Sequence, residues 1–404
     1  MKKTKLALAI ATAAFASSAM ATNGTNMTGV GAQASALGGT GVAAYYGAEN
    51  VIVNPAMIGK STGTEFSFGG TLFTPDVSND GVVDAAQEFT DSTADTFVIP
   101  SVSLTSRISD SLTFGIGMYG TSGMGVDYSA NEVAVGLGEI NQFEAQSNLQ
   151  IMRFVPTLAY NEANFGIGFS PIIQYGALDI NYNAAPLGGG KVGSGATSDL
   201  GMGFSLGGYF DVNEELTVAA TYTSAISMKY DNQLSVASAT FNPFLGYTFE
   251  DDLEQPAELK AGIAYTMGDY TFTGDYKQIK WSDTKGYGDF GWEDQNVISI
   301  GAKYQGNGYW LGAGFNKADN PIKMQDGTTT EGATINMFNN VFFPATTEQH
   351  ISIGGGYNLT KNVAIDAAVV IAPEVETTAD LTALGLGDTT TKHSQNAYTV
   401  SVRY

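Results

Sequence analysis

Four sets of residues in this chain have the types and spacing to do chemistry. His350 and Ser352 stand two apart in a segment that alternates polar and apolar residues. On a strand that spacing puts both side chains on one face. A histidine there could serve a serine nucleophile, as in an outer-membrane phospholipase. Ile351 and Ile353 take the opposite face, which turns His350 and Ser352 away from lipid, and no flanking residues complete a hydrolase pattern. Asp76-x-Ser78-x-Asp80-Gly81 begins like a calcium loop, but Gln87 stands where the bidentate glutamate belongs, so it reads as a solvated acidic loop. Gly115-x-Gly117-x-x-Gly120 matches a dinucleotide fingerprint by letters, yet it lies within a strand pattern with no helix after it. Arg153, Lys260, Lys277 and Lys303 fall on the polar side of their alternating segments, where each could pair with an anion. With two histidines, His350 and His393, a histidine-based metal site lacks ligands. The expectation is no enzyme, no metal and no cofactor.

Those residues are positioned by a repeating pattern. From about Thr64, segments of some ten residues alternate apolar and polar positions, the signature of strands with two unlike faces. The first places Phe66, Phe68 and Leu72 opposite Glu65, Ser67 and Thr71; the last sets Tyr398, Val400, Val402 and Tyr404 against Thr399, Ser401 and Arg403. Between them, strands are expected near 96–107, 111–122, 150–160, 164–178, 199–211, 215–226, 256–267, 269–281, 293–304, 307–316, 348–358 and 361–372, about fourteen in all. Short connections, as at Ser109-Asp110 and Gly268-Asp269, alternate with long ones, roughly 75–95, 123–149, 179–198, 227–255, 282–292, 317–347 and 373–393. An even count of such strands with short–long alternation predicts an all-β fold, a closed transmembrane antiparallel β-barrel. A bilayer admits a sheet only when it closes, because open edges would leave backbone groups unpaired in hydrocarbon.

Composition agrees. The 404 residues carry a net charge of −22, which excludes nucleic acid as a partner. There is no cysteine to brace an exported chain with disulfides. Export itself is signalled by residues 1–21. Lys2, Lys3 and Lys5 precede the apolar run Leu6 to Phe15, and Ala19-Met20-Ala21 is a cleavage site that leaves Thr22 as the mature start. The expected organisation is a signal peptide at 1–21, a segment at 22–62 and the barrel at 63–404. The expected location is the outer membrane of a Gram-negative bacterium, with membrane lipid and lipopolysaccharide around a monomer.

Residues 22–62 are too apolar for a solvated tail and too short for a domain of their own. Inside the barrel, as a plug, their apolar residues would be buried. Asn54 would cap a short helix with Pro55 in its first turn, making Asn54-Pro55-Ala56 a rigid corner.

A signal peptide, a glycine-rich segment ending in Asn54-Pro55-Ala56 and a fourteen-strand barrel together resemble the FadL family of outer-membrane transporters. So do Ile99-Pro100-Ser101, Phe114-Gly115-Ile116-Gly117, Phe165-Gly166-Ile167-Gly168-Phe169, Gln255-Pro256-Ala257, Trp281-Ser282 and the terminal Tyr404. The resemblance covers essentially the mature chain. It implies passive uptake of hydrophobic compounds, with long-chain fatty acids as the main expectation and aromatic hydrocarbons such as toluene as the alternative. It further implies that 22–62 is a hatch, and that a kink in the third strand opens the wall for sideways release into the membrane. The corresponding stretch is Met118 to Gly123, where Gly120 and Gly123 are the expected source of the kink. A structural or adhesive barrel with acidic outer loops is the remaining alternative.

Two long connections carry dense aromatic runs: Phe241, Phe244, Leu245, Tyr247 and Phe249 in one, and Met337, Phe338, Phe342 and Phe343 in the other. Such runs in water-facing loops mark binding surfaces, and the resemblance implies a capture groove for the hydrophobic ligand. Known fatty-acid transporters of the family carry a basic residue in the strand after the second short turn. Around Gln174-Tyr175-Gly176 there is none, which leaves neutral hydrocarbons open.

Overall fold

The computed structural model describes residues 22–82, 89–130, 142–185 and 188–404. The expected signal peptide at 1–21 and Gln87 of the calcium-like loop lie outside them.

Fourteen antiparallel strands form the wall: β1 Thr64–Asn79, β2 Phe97–Arg107, β3 Leu112–Asp127, β4 Gln146–Asn161, β5 Phe165–Asn183, β6 Thr197–Asp211, β7 Leu216–Thr223, β8 Glu258–Met267, β9 Tyr270–Ile279, β10 Gln295–Gln305, β11 Tyr309–Ala318, β12 Gln349–Asn358, β13 Ala364–Ala379 and β14 Thr389–Arg403. β14 pairs with β1 from Arg403↔Ser67 to Thr391↔Asn79, so the sheet closes. Outward positions carry large apolar side chains left bare by the protein, such as Phe68, Met202, Ile298 and Ile353. A surface of that kind is matched by hydrocarbon rather than water.

Short and long connections alternate as expected, but the long-loop ends of several strands reach further than the sequence suggests. β14 begins at Thr389 rather than Ala397, and β3 runs to Asp127. The last long connection therefore shrinks to 380–388. Spanning needs only about 9–11 residues; the extra length, as in the 19 residues of β5, carries the wall beyond the apolar belt. There both faces meet polar surroundings, so Thr389 to Asn396 show no apolar alternation to read.

The described residues before Thr64 sit inside the barrel. They form α1 Ala32–Ala36, a 3-10 turn at Gly47–Glu49, α2 Asn50–Val53 and a 3-10 helix at Pro55–Lys60. They pack on β12 and β13 on one side and on β4, β5 and β6 on the other. Three outer segments close the long-loop rim: α3 Leu234–Ala239, α4 Asn242–Leu245 and α5 Thr330–Phe342.

Candidate functional site

The Asn54-Pro55-Ala56 corner fixes one end of the plug. Asn54 Oδ1 accepts from Ala56 N at 3.0 Å, and its Nδ2 donates to Val42 O at 2.7 Å. One side chain thus caps a helix and ties together two turns of the plug. Pro55 occupies the first turn, where its missing N–H costs nothing. The corner presses into the wall at Gly168 of β5 and Gly207 of β6. A Cβ at Gly168 would overlap the Pro55 backbone, and one at Gly207 would overlap Asn54 Oδ1. Polar contacts hold the rest: Lys60 Nζ meets Asp211 Oδ1 at 2.6 Å, and Gly41 N and Val42 N donate to Asp275 Oδ2 at 2.8 and 3.0 Å.

Glu49 of the plug is buried and accepts from Ser67 Oγ at 3.0 Å, with the Ser401 hydroxyl beside it. Burial raises its carboxyl to about 7, against the opposing effect of hydrogen bonds from Ser401 and Ser67.

The other end of the plug meets a break in the wall. The ladder between β2 and β3 runs from Arg107↔Thr113 to Ser101↔Tyr119 and stops, next to Pro100, which has no N–H to offer. β3 continues to Asp127 paired with β4, and the register jumps between Gly120 and Ser122. Thr121 is the extra residue of a bulge, so the departure sits one residue from the expected Gly120 and two from Gly123. Plug residues fill the unzipped stretch. Thr25 Oγ1 lies 2.8 Å from Ser122 Oγ, Ser122 Oγ donates to Thr25 O at 2.9 Å, and Gly123 N donates to Thr25 O at 3.1 Å. Asn26 bridges to Ser122 in strand register. Nearer the long-loop rim the gap closes again, with Thr93 N donating to Asp127 O at 2.8 Å.

The four expected basic residues face the lumen, and each is engaged. Arg153 Nε donates to Gln174 Oε1 at 2.9 Å. Lys260 Nζ lies 2.8 Å from Glu258 Oε2, whose other oxygen accepts from Asn26 Nδ2 at 2.9 Å. Lys277 Nζ donates to Asn23 Oδ1 at 3.0 Å, and Lys303 Nζ to Gln33 Oε1 at 2.9 Å. Lys260, Lys277 and Arg153, with Glu258 and Asp275, line a chamber shared with plug residues Asn26–Val30 and with Thr121 of the bulge.

His350 and Ser352 also serve the plug. Ser352 Oγ donates to Ala36 O and accepts from Gly38 N, both at 2.9 Å, closing the end of α1. His350 Nδ1 pairs with Asn316 Oδ1 at 3.2 Å. The calcium-like Asp76 and Ser78 lie on strand β1, and among the described residues no group of three or more acidic or histidine side chains could hold a metal ion. The Gly115–Gly120 pattern lies wholly within β3.

The loop aromatics depart from the expected open groove. Phe241, Leu245, Phe249, Met337, Phe338, Phe342 and Phe343 are all buried; Phe244 is half-buried and Tyr247 exposed. Phe241 and Phe338 meet edge to face at 5.2 Å, and Phe249 and Phe290 lie 4.5 Å apart. Packing among the loops themselves takes up this apolar surface, so it forms a lid core over the barrel mouth. Sequence reading missed Thr25, and it placed Thr121 and Ser122 within the expected opening without singling them out from the glycines beside them.

The family profile described as "Outer membrane protein transport protein (OMPP1/FadL/TodX)" matches residues 7–404. The chain belongs to this family. It is accordingly an outer-membrane β-barrel of a Gram-negative bacterium and a transporter of hydrophobic compounds by family. Its fold is similar to the crystal structure of the P. putida toluene transporter TodX, at a TM-score of 0.69 and 19% identity over 93% of this chain and 98% of that one. It is similar to a Pseudomonas aeruginosa FadL homologue, at 0.71 and 14% identity over 95% and 99% of the chains. The CymD monoaromatic hydrocarbon channel matches at 0.61 and 17% over 93% and 97%. At these identities the likeness concerns the fold. A Chlorobium limicola protein named only for its position in a phosphoenolpyruvate carboxykinase gene 5' region is 44% identical over 73 residues, 17% of this chain. The match spans 36% of that relative's length. With membership established, the short-turn rim is the periplasmic side and the long-loop rim the outer side.

Proposed function

We propose that this barrel takes up small uncharged aromatic molecules, which enter at the outer rim, pass the N-terminal hatch and leave through the β2–β3 gap into the membrane. The single observation that carries the choice of ligand is the engagement of all four inward basic residues. Arg153, Lys260, Lys277 and Lys303 already have protein partners, and Glu258 and Asp275 offset most of the positive charge of the chamber that three of them line. A fatty-acid carboxylate arriving there would compete with those partners and meet the carboxylates of Glu258 and Asp275, an added cost in a buried site. A neutral ring needs none of this. The absence of a basic residue at Gln174-Tyr175-Gly176 points the same way, as do the relatives described as a toluene transporter and a monoaromatic channel.

Lateral release suits such a ligand. An apolar solute gains roughly 0.8 kcal/mol for each CH₂-sized unit removed from water, so a path into lipid is favoured over one into the periplasm. The lock on that path is Thr25 against Ser122.

Binding to the purified barrel tests the proposal. Toluene should bind saturably and oleate should not compete with it. Saturable oleate binding that weakens in Lys277→Gln, with no binding of toluene, would favour the fatty-acid function instead.

A further inference from the structure

The wall has a second interruption, between β6 and β7. β6 pairs with β5 along nearly its whole length, from Phe210↔Phe165 to Thr197↔Leu178. With β7 it pairs only from Asp211↔Thr217 to Ser205↔Thr223. One more backbone bond, Ser224 N to Phe204 O at 2.9 Å, ends the ladder, and among the described residues no strand pairs with 197–203 on that edge. The break lies within the apolar belt. Leu200 and Met202 point outward beside it, and at 67 and 79% they are the barest large apolar side chains among the described residues.

Irregular backbone at membrane depth is tolerated only where protein buries it or it lines a cavity. Here side chains take the place of the missing ladder. Phe204 N donates to Ser224 Oγ at 3.0 Å, Leu200 N to Asp199 Oδ1 at 2.8 Å, and Lys229 N to Asp199 Oδ2 at 2.8 Å. After β7 the chain tucks behind this edge and pairs elsewhere: Ile226 exchanges both backbone bonds with Gln255, at 3.0 and 2.9 Å. Side chains lying on glycines close the break. Ile226 and Met228 are buried against Gly201, where a Cβ would come 2.6 Å from Ile226 Cγ2 and from Met228 Sδ, and Ile226 also covers Gly203. The seal is apolar, and a methionine repacks readily.

Behind the seal lies the chamber. Ser205 and Thr223, the last ladder pair, line it, as does Thr121 of the β3 bulge. Its apolar lining of Val51, Val155 and Ile172 belongs to the same buried cluster as Ile226 and Met228. The chamber thus touches both interruptions of the wall. Building on the transport function proposed above, we infer that the β6–β7 break is a second lateral outlet, through which an apolar ligand passes from the chamber into the membrane between β6 and residues 224–228. Ile226 and Met228 are its gate, and it opens without movement of the plug. Transfer to hydrocarbon favours release by either outlet.

The chain has no cysteine, so each opening can be stapled by one introduced disulfide. Thr25→Cys with Ser122→Cys ties the plug across the β2–β3 gap. Gly201→Cys with Ile226→Cys ties the break, because a Cβ at 201 would touch Ile226 Cγ2, one bond from the Cβ at 226, which is within disulfide reach. Uptake of labelled toluene is followed in cells carrying each barrel, oxidised and then reduced with dithiothreitol. The disulfides are mapped by mass spectrometry, and folding is checked by heat-modifiable electrophoretic mobility. Either staple alone should lower uptake to a fraction of the parent rate, both together should bring it to the background of empty cells, and reduction should restore it. In the barrel stapled at 25 and 122, Met228→Ala should raise the remaining uptake severalfold. Background uptake with the 25–122 staple alone would overturn the inference. So would uptake that stays unchanged when the 201–226 staple is added to it, and either outcome would leave the transport function standing. Absence of toluene uptake by the unsubstituted barrel would instead remove the transport function and the inference resting on it.

Discussion

Thr25 Oγ1 lies 2.8 Å from Ser122 Oγ, joining the tip of the plug to the residue that follows the bulge in β3. The bond is between neutral hydroxyls and contributes about 1 kcal/mol. On the proposed lateral route, a bond of that size is weak enough for a bound ligand to offset. Ser122→Ala should therefore raise the rate of toluene entry severalfold without destabilising the wall. Uptake kinetics beside a thermal unfolding curve check both halves; unchanged uptake would mean that the pair does not limit passage.

The opposite end of the plug should behave as a fixed anchor. Asn54→Ala removes a helix cap and should cost about 1 kcal/mol locally, visible as faster protease cleavage between residues 42 and 61. Gly207→Ala should loosen the same corner from the wall side, because its Cβ would occupy the place of Asn54 Oδ1. The two substitutions act on one contact, so the double variant should be less than additive.

How much of this was legible in the sequence follows from which surroundings each residue meets. Alternation such as Tyr398-Thr399-Val400-Ser401 was readable because lipid and lumen impose opposite polarity on successive side chains. Thr389 to Asn396 were not, because that part of β14 rises beyond the apolar belt and loses the contrast. Asn54-Pro55-Ala56 was readable because capping is local. The bulge at Thr121 was only nearly so: glycines marked the neighbourhood, but register depends on where β2 and β4 pair, which is not local. The loop aromatics misled for the same reason. Phe241 and Phe338 satisfy one another across nearly a hundred residues, and no window of sequence contains both.

A pH dependence should come from Glu49. Its carboxyl is raised by burial from an ordinary value of 4.5 to about 7, so the folded plug binds this proton more tightly than a released plug does. The stability it lends is fully present below about pH 4.5 and is lost as pH rises through about 7. The groups nearest it are Ser67, Ser401, Asp366 and Arg403. Plug cleavage by a protease active across the range should be faster at pH 8 than at pH 5.5, and Glu49→Gln should flatten the difference. An equal slope in the variant would assign the effect to another group.

Asp366 is fully buried and joined to Arg403, and it accepts from Trp310 Nε1 at 2.7 Å. It ties β11, β13 and β14 together near the periplasmic rim. Asp366→Ala leaves Arg403 and Trp310 without their partner and should cost about 3 kcal/mol, lowering the temperature at which the barrel loses its compact electrophoretic form. Ser122→Ala should leave that temperature unchanged, which separates the wall from the gate.

The central claim is that uncharged aromatics, rather than fatty acids, use this barrel. Its most direct test is the uptake of labelled toluene and labelled oleate, in parallel, by cells that lack their own transporter and carry this chain folded in the outer membrane. Entry of toluene above the background of the empty cells, with oleate at background, is the expected result. Entry of oleate with toluene at background would contradict the claim and return attention to Arg153, Lys260, Lys277 and Lys303.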